Sequence, residues 1–216
     1  MQYKATVFEF TSYKYEPAKK RVVFNYKTHF KGIEPITWTE IVILPKTVKL
    51  VGSPTPHQFE NLLESLHIIL GISYWKFHCA PKIKMPYNLS KQEADFWNIV
   101  YKKGLGEFFY RNNLDPKISP LFPYKKSDAF RVIPRRFPRN SVTPTNILVG
   151  VGGGKDSIVS AELLKEHGIN FNSFSVETNN SSHLIGNIAK TIGKKHLKIR
   201  RFLDPQVFQN HNYNGH

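Results

Sequence analysis

An α/β fold is predicted, in two parts. An N-terminal α+β domain, a β-meander plus helices, occupies residues 1–140. The first βαβαβ of a doubly wound parallel sheet follows at 141–216. Three observations predict this. Three aromatic and β-branched runs lie within the first 50 residues, separated by turn residues. Two helical patterns follow, each with a recognisable start and stop. From Asn146 onward, strand and helix alternate, which requires parallel strands joined by right-handed crossovers.

Taken in order, residues 6–10, 21–26 and 37–43 read as strands, with turns at 16–19 and 31–35. A helix starts at Thr55 as cap with Pro56 in its first turn. Phe59, Leu62, Leu63, Leu66, Ile69 and Leu70 share one face of it, and Gly71 is expected to end it. Ser90 and Glu93 form a capping box for a second helix, which turns Ala94, Trp97, Val100 and Tyr101 inward and stops at Gly104. Prolines and charges without periodicity fill 115–144, placing a domain boundary near 140. Beyond it come a strand at 147–151, a helix at 156–167, a strand at 172–177, a helix at 181–192 and a strand at 196–199. Three parallel strands and two helices do not complete a doubly wound domain. The chain therefore reads as an N-terminal piece of a longer protein, with one edge of the parallel sheet left unpaired.

Composition narrows the class. The chain has 216 residues, 40% apolar and 13% aromatic, enough for a packed core. Its one cysteine, Cys79, excludes an internal disulfide and points to a reducing compartment. The first residues lack the charged start and apolar run of a signal peptide, and no apolar stretch is long enough to span a bilayer, so a cytoplasmic protein is expected. The formal charge of +15 favours anionic partners, although the lysines are scattered rather than gathered on one face. The densest basic run, 131–139, falls in the Pro-rich segment and reads as a linker.

The chemistry concentrates in Gly152, Gly153, Gly154, Lys155, Asp156 and Ser157, set between a strand and a helix. Glycines let the backbone approach an anion closely, and the free N–H groups at a helix start point at it. The spacing is neither that of a Walker loop nor that of the dinucleotide fingerprint. Gly153 and Gly154 would wrap the outer phosphates of a nucleotide. Ser157 would donate to a phosphate oxygen, and Lys155 would neutralise charge. Asp156 would either cap the helix or hold Mg²⁺. Val176 and Glu177, at the carboxyl end of the second parallel strand, lie where open α/β sheets bind ligands, and the Val176 backbone would read an adenine edge.

Other chemistry-bearing residues have plainer readings. His78 and Cys79 are adjacent and point apart, so a structural cysteine is expected. His183 is a solvated histidine near a helix start. His211 and His216 are isolated. Glu93, Asp95 and Glu107 sit near helix starts, where carboxylates cap. Two aromatic runs, 71–76 and 104–112, are less ordinary. Core packing explains their aromatics but not Lys76, Glu107 and Arg111 lodged among them, which hint at a substrate wall.

The glycine loop resembles the pyrophosphate loop of the adenine-nucleotide alpha-hydrolase-like ATPases, with Gly152 where that superfamily has Ser. Together with the runs 71–79 and 104–112 and the Phe96-Trp97 helix, it resembles one family within it, the ATP-dependent UDP-N-acetylmuramoyl-L-alanyl-L-glutamate epimerases of peptidoglycan synthesis. The resemblance covers most of 55–200, and the C-terminal half of the family's length has no counterpart here. It implies ATP and Mg²⁺, the latter at Asp156, and a UDP-linked muramoyl dipeptide as substrate. It also implies inversion of the terminal L-glutamate through an acyl-adenylate, with release of AMP and pyrophosphate. The proton-transfer residues are not assigned. Two alternatives stay open: a tRNA-modifying adenylating enzyme of the same superfamily, and a catalytically inactive nucleotide-binding fragment. No cysteine pair for sulfur transfer and no recognised RNA-binding domain precede the loop, which makes nucleic acid the weaker partner class.

Overall fold

The computed structural model describes residues 4–47, 56–125, 147–178, 183–209 and 212–213. The Thr55 cap, the basic run 131–139, the expected boundary near 140, His211 and His216 lie outside the described residues. The architecture is mixed α/β, built on one seven-stranded sheet of order β4-β1-β2-β3-β7-β6-β5.

β1 (Ala5–Glu16), β2 (Arg21–Phe30) and β3 (Ile36–Ile43) form the antiparallel meander. Strict alternation in β2 buries Val22, Phe24, Tyr26, Thr28 and Phe30 on one face. The first hairpin closes through a 3-10 turn at Pro17–Lys19 and Lys20 at φ 47°, and Arg21 Nε donates to Glu16 Oε2 at 2.8 Å across its base. A short strand, β4 (Lys82–Lys84), adds in parallel to β1. Three residues carry no readable period, and the sequence gives no sign of it.

α1 (Pro56–Trp75) packs its Leu63, Ile68, Tyr74 and Trp75 onto the aromatic face of the meander, against Phe8, Phe10, Phe24, Tyr26 and Trp38. Gly71 does not end this helix, contrary to expectation; α1 runs one turn further. The glycine serves close approach instead. A Cβ there would sit 2.5 Å from Phe10 Cε1 and 3.1 Å from the Tyr26 ring. Gly71→Ala should therefore overpack the helix–sheet seam and cost about 1–3 kcal/mol in urea unfolding. An unchanged midpoint would show that the seam has slack. Past Trp75 the chain leaves the helix through turns that close at Cys79, in the left-handed region at φ 47°, whose N–H donates to Trp75 O at 2.9 Å.

His67 lies fully buried on α1, ringed by Phe10, Tyr13, Phe24, Tyr26 and Tyr87, with Nε2 3.1 Å from Asn25 O. Burial pushes its pKa from 6.5 down to about 4. The unfolded chain therefore takes up a proton below pH 6.5 that the folded chain refuses. This contribution is complete above 6.5 and is lost as pH falls towards 4, by roughly 3 kcal/mol at most, at about 1.4 kcal/mol per pKa unit. A His67→Asn variant should show a flatter loss of unfolding free energy between pH 6.5 and 4.5. The same slope as in the wild type would refute this.

α2 (Lys91–Lys103) carries the expected capping box. Glu93 N–H donates to Ser90 Oγ at 3.3 Å and Ser90 N–H to Glu93 Oε2 at 2.7 Å. Ala94, Trp97 and Tyr101 are buried, and Tyr101 Oη donates to Ile68 O at 2.9 Å, tying α2 to α1. Gly104 is the C-cap, as expected. The aromatic run that follows is itself a short helix, α3 (Gly106–Arg111), with Phe108 and Phe109 inward.

β5 (Ile147–Gly150), α4 (Lys155–Glu166), β6 (Phe171–Glu177), α5 (His183–Ile192) and β7 (His196–Phe202) form the βαβαβ, with β5–β6 and β6–β7 parallel. Val149, Val151 and Phe171 pack against Ala161 of α4 and Ile192 of α5, so both helices cover the same face. On the other face Leu148 and Val176 are exposed. β7 runs three residues past the expected end and pairs antiparallel with β3, Val42 opposite Arg201. Arg201 is admitted to the interior because Glu40, fully buried on β3, accepts from its Nε at 2.5 Å and its Nη2 at 3.1 Å. The meander thus covers the β7 side of the parallel strands, and β5 is the outer strand among the described residues. No described helix is long and apolar enough to cross a membrane.

Candidate functional site

The glycine loop joins β5 to α4 at the carboxyl end of the parallel strands. Gly153 adopts φ 93°, which L side chains rarely tolerate, and Gly154 is the N-cap at φ −86°, ψ 160°. A Cβ at Gly152 or Gly154 would meet nothing within 4 Å, so the concave side of the loop is open. The N-cap has no side-chain hydrogen bond. The N-cap residue, Gly154, has no side chain to cap with, and Asp156 follows two residues later. It stands exposed in the first turn beside exposed Lys155. An uncapped helix start with an open glycine approach suits a phosphate, and the adjacent carboxylate suits a phosphate-bound Mg²⁺. Ser157 Oγ donates to Gly154 O at 2.8 Å, leaving its N–H and an oxygen lone pair for a ligand. The first turn of α5 braces the loop: a Cβ on Gly153 would lie 3.7 Å from both Ile185 Cγ1 and Leu184 Cδ2. His183, which opens α5, is exposed.

Gly150 pairs with Phe174, so β6 continues three residues beyond β5 and brings Val176 and Glu177 alongside the loop. Val176 is half exposed there. Glu177 Oε1 accepts from Ser175 Oγ at 3.0 Å and lies 3.4 Å from Lys198 Nζ. Behind it, the buried Ser173 and Ser175 contact the two ring nitrogens of His196 at 2.8 and 3.0 Å. Burial, then the Lys198 charge, lowers the His196 pKa. This polar strip was missed in the sequence, because serines alternating with Phe171, Phe174 and Val176 read as an ordinary strand.

Lys76, Glu107 and Arg111, 31 residues or more apart in part, come together around one cavity of about 600 Å³, completed by Gly104, Leu105, Phe108 and Asn112. Lys76 Nζ lies 5.8 Å from the centroid of the Phe108 ring. Burial, then the nearby Arg201 charge, lowers its pKa. Glu107 and Arg111 pair at 2.9 Å one helical turn apart, both exposed. Cys79 is buried, and burial pushes its thiol up to about 12, which leaves it no thiolate chemistry near neutrality. Glu93 is held in its capping box and Asp95 pairs with Lys91 at 2.6 Å, so both serve the helix. Among the described residues no three His, Cys, Asp or Glu side chains are grouped to hold a metal ion.

Fold and loop together define a class: a mixed α/β protein in which one parallel strand, β5, runs through a glycine turn into a helix start. Within that class, the chain belongs to the MurL N-terminal domain family, whose model matches residues 1–216. It is 34% identical over 202 residues to a UDP-N-acetyl-alpha-D-muramoyl-L-alanyl-L-glutamate epimerase of Micromonospora sp., a match covering 93% of this chain and 43% of the relative. Proteins of the same name from Salinispora tropica and Xanthomonas oryzae pv. oryzae are 32% and 33% identical, over 93% and 82% of this chain. The chain spans about two fifths of the length of these relatives. No solved structure matches it.

Proposed function

We propose that this chain is the nucleotide-binding part of an ATP-dependent epimerase that converts the terminal L-glutamate of UDP-N-acetylmuramoyl-L-alanyl-L-glutamate to D-glutamate. The observation that carries the proposal is the open glycine loop 152–157 running into an uncapped helix start, in a chain whose relatives bear that enzyme's name. ATP is consumed as a substrate. The backbone of Gly153 and Gly154 and the first N–H groups of α4 hold its outer phosphates, with Lys155 supplying positive charge. The Val176 backbone and Glu177 border the adenosine. Asp156 holds Mg²⁺, which supplies charge neutralisation when bound. The glutamate α-carboxylate attacks the α-phosphorus, pyrophosphate leaves, and an acyl-adenylate forms. Its Cα–H is more acidic than that of a carboxylate, because the acyl carbonyl accepts the electron pair that deprotonation releases. Reprotonation on the opposite face, then attack of water on the acyl carbon, gives the D-glutamyl product and AMP. Lys76, Glu107 and Arg111 serve the substrate rather than the nucleotide. A net charge of +15 steers the polyanionic substrate and ATP alike.

The test is to give the complete protein ATP, Mg²⁺ and UDP-muramoyl-L-Ala-L-Glu. AMP should appear together with D-glutamate after acid hydrolysis of the product. AMP formed on tRNA, with no D-glutamate, would place the protein among tRNA-modifying enzymes instead.

A further inference from the structure

We infer that the cavity between the end of α1 and α3 is a carboxylate subsite. In it Lys76 and Arg111 hold the side-chain carboxylate of the glutamate being epimerised, and Glu107 keeps Arg111 in place until that carboxylate displaces it. This inference rests on the epimerase reading and assigns the part of the substrate that the cavity selects.

Lys76 is the first donor. It is half-buried, yet among the described residues no carboxylate lies within ion-pair distance of its Nζ. Lysines withdrawn from water are normally paired. This one instead lies over the Phe108 ring and within the field of Arg201. Desolvation and a like charge both penalise its ammonium, and an incoming anion relieves both. Arg111 is the second donor. Its partner Glu107 sits one turn back on α3, and the side chains are 69% and 77% exposed. So exposed a pair is weak. A substrate carboxylate that binds the guanidinium in two-point fashion, inside a partly enclosed site, outcompetes it. Leu105 and Phe108 give the cavity an apolar wall for the methylenes between the two carboxylates of glutamate, and Gly104 leaves room beside them. A volume of about 600 Å³ exceeds what one glutamyl residue fills, so the cavity also admits part of the preceding alanine.

Position supports the assignment. Arg201, one residue from the end of β7, donates to Ser73 Oγ of α1 at 2.9 Å. Lys76, one turn after Ser73, thus lies at the end of the sheet where β6 reaches Glu177. A substrate anchored here by its side chain presents its α-carboxylate towards the edge that carries the loop.

The experiment measures epimerisation by the complete protein with UDP-muramoyl-L-Ala-L-Glu and with its L-Gln analogue, a neutral isostere at the side-chain position. Wild type should strongly prefer the Glu substrate. Lys76→Met and Arg111→Met should each raise its KM about 10-fold to 100-fold, leave the KM for ATP unchanged, and collapse the Glu-over-Gln preference. Glu107→Gln should lower KM for the Glu substrate. If both methionine variants keep the preference, the subsite is elsewhere. If Glu107→Gln raises KM, the displacement role is wrong. Calorimetric binding of the dipeptides L-Ala-L-Glu and L-Ala-L-Gln separates this inference from the enzyme assignment, since it needs no turnover. Preference for Ala-Glu that is lost in Arg111→Met supports the subsite even if no epimerisation occurs. Equal binding of the two by wild type overturns it.

Discussion

Replacing Arg201 by methionine is expected to cost about 3–5 kcal/mol of stability, a large part of what a domain of this size has. The reason is Glu40. Its side chain is fully buried on β3, and both carboxylate oxygens accept from Arg201 on β7, at 2.5 and 3.1 Å. Removing the guanidinium strands a carboxylate beside the buried phenols of Tyr26 and Tyr74, which cannot replace its charge. Burial and the Glu40 charge already raise the pKa of both phenols. Arg201 also reaches Ser73 on α1, so the variant loosens β3, β7 and α1 together. The pair itself contributes less than this loss implies, because bringing both charges out of water was costly. The double variant Glu40→Gln, Arg201→Met should therefore recover much of the stability. Urea midpoints of the wild type, the single variant and the double variant read this directly. A single variant that costs less than about 1 kcal/mol, or a double variant no better than the single, would show that Glu40 finds another partner. Hydrogen exchange should rise first along β7 and β3, the strands that join the meander to the parallel strands among the described residues.

The second large effect is on turnover. Asp156→Ala should reduce AMP release by about 100-fold to 1,000-fold or more, the scale of removing one preorganised electrostatic group from a reacting phosphate. Stability should hardly change. The Asp156 side chain is exposed in the first turn of α4, so only its favourable interaction with the helix start is lost, about 0.3–1 kcal/mol. A variant that melts like wild type and does not turn over fits the role of holding Mg²⁺ at the phosphates. Wild-type turnover in the variant would remove the loop carboxylate from the mechanism.

How far the sequence foretold this structure depends on the range of the interactions. Local signals read well. Alternation in β2, the Ser90–Glu93 box and Gly104 as the end of α2 are settled by neighbours a few residues apart. The glycine loop was legible for the same reason, since its six residues are consecutive and both flanks are regular. Gly71 shows the limit. A glycine late in a helical pattern reads as a stop, but the rings that require it, Phe10 and Tyr26, belong to strands more than 40 residues earlier. β7 shows the same from the other side. Its last three residues lie past the expected end at Ile199, and Arg201 is admitted to the sheet interior by Glu40, 161 positions away. The cavity was partly legible. Lys76, Glu107 and Arg111 stood out as charges among aromatics, and the packing of α3 against the end of α1 places them around one space. The Ser173, Ser175 and His196 strip left no trace, because its members are ordinary strand residues until β6 and β7 pair.

On the proposed mechanism, this chain's glycine loop serves cleavage of ATP between its α and β phosphates, driven by a glutamate carboxylate. Isotope exchange tests it most directly. The complete protein is incubated with ATP, Mg²⁺, labelled pyrophosphate and UDP-muramoyl-L-Ala-L-Glu. The label should enter ATP only when the glutamyl substrate is present, because adenylation is reversible and needs that carboxylate. Formation of ADP and phosphate, or exchange that proceeds equally well without the substrate, would contradict the account.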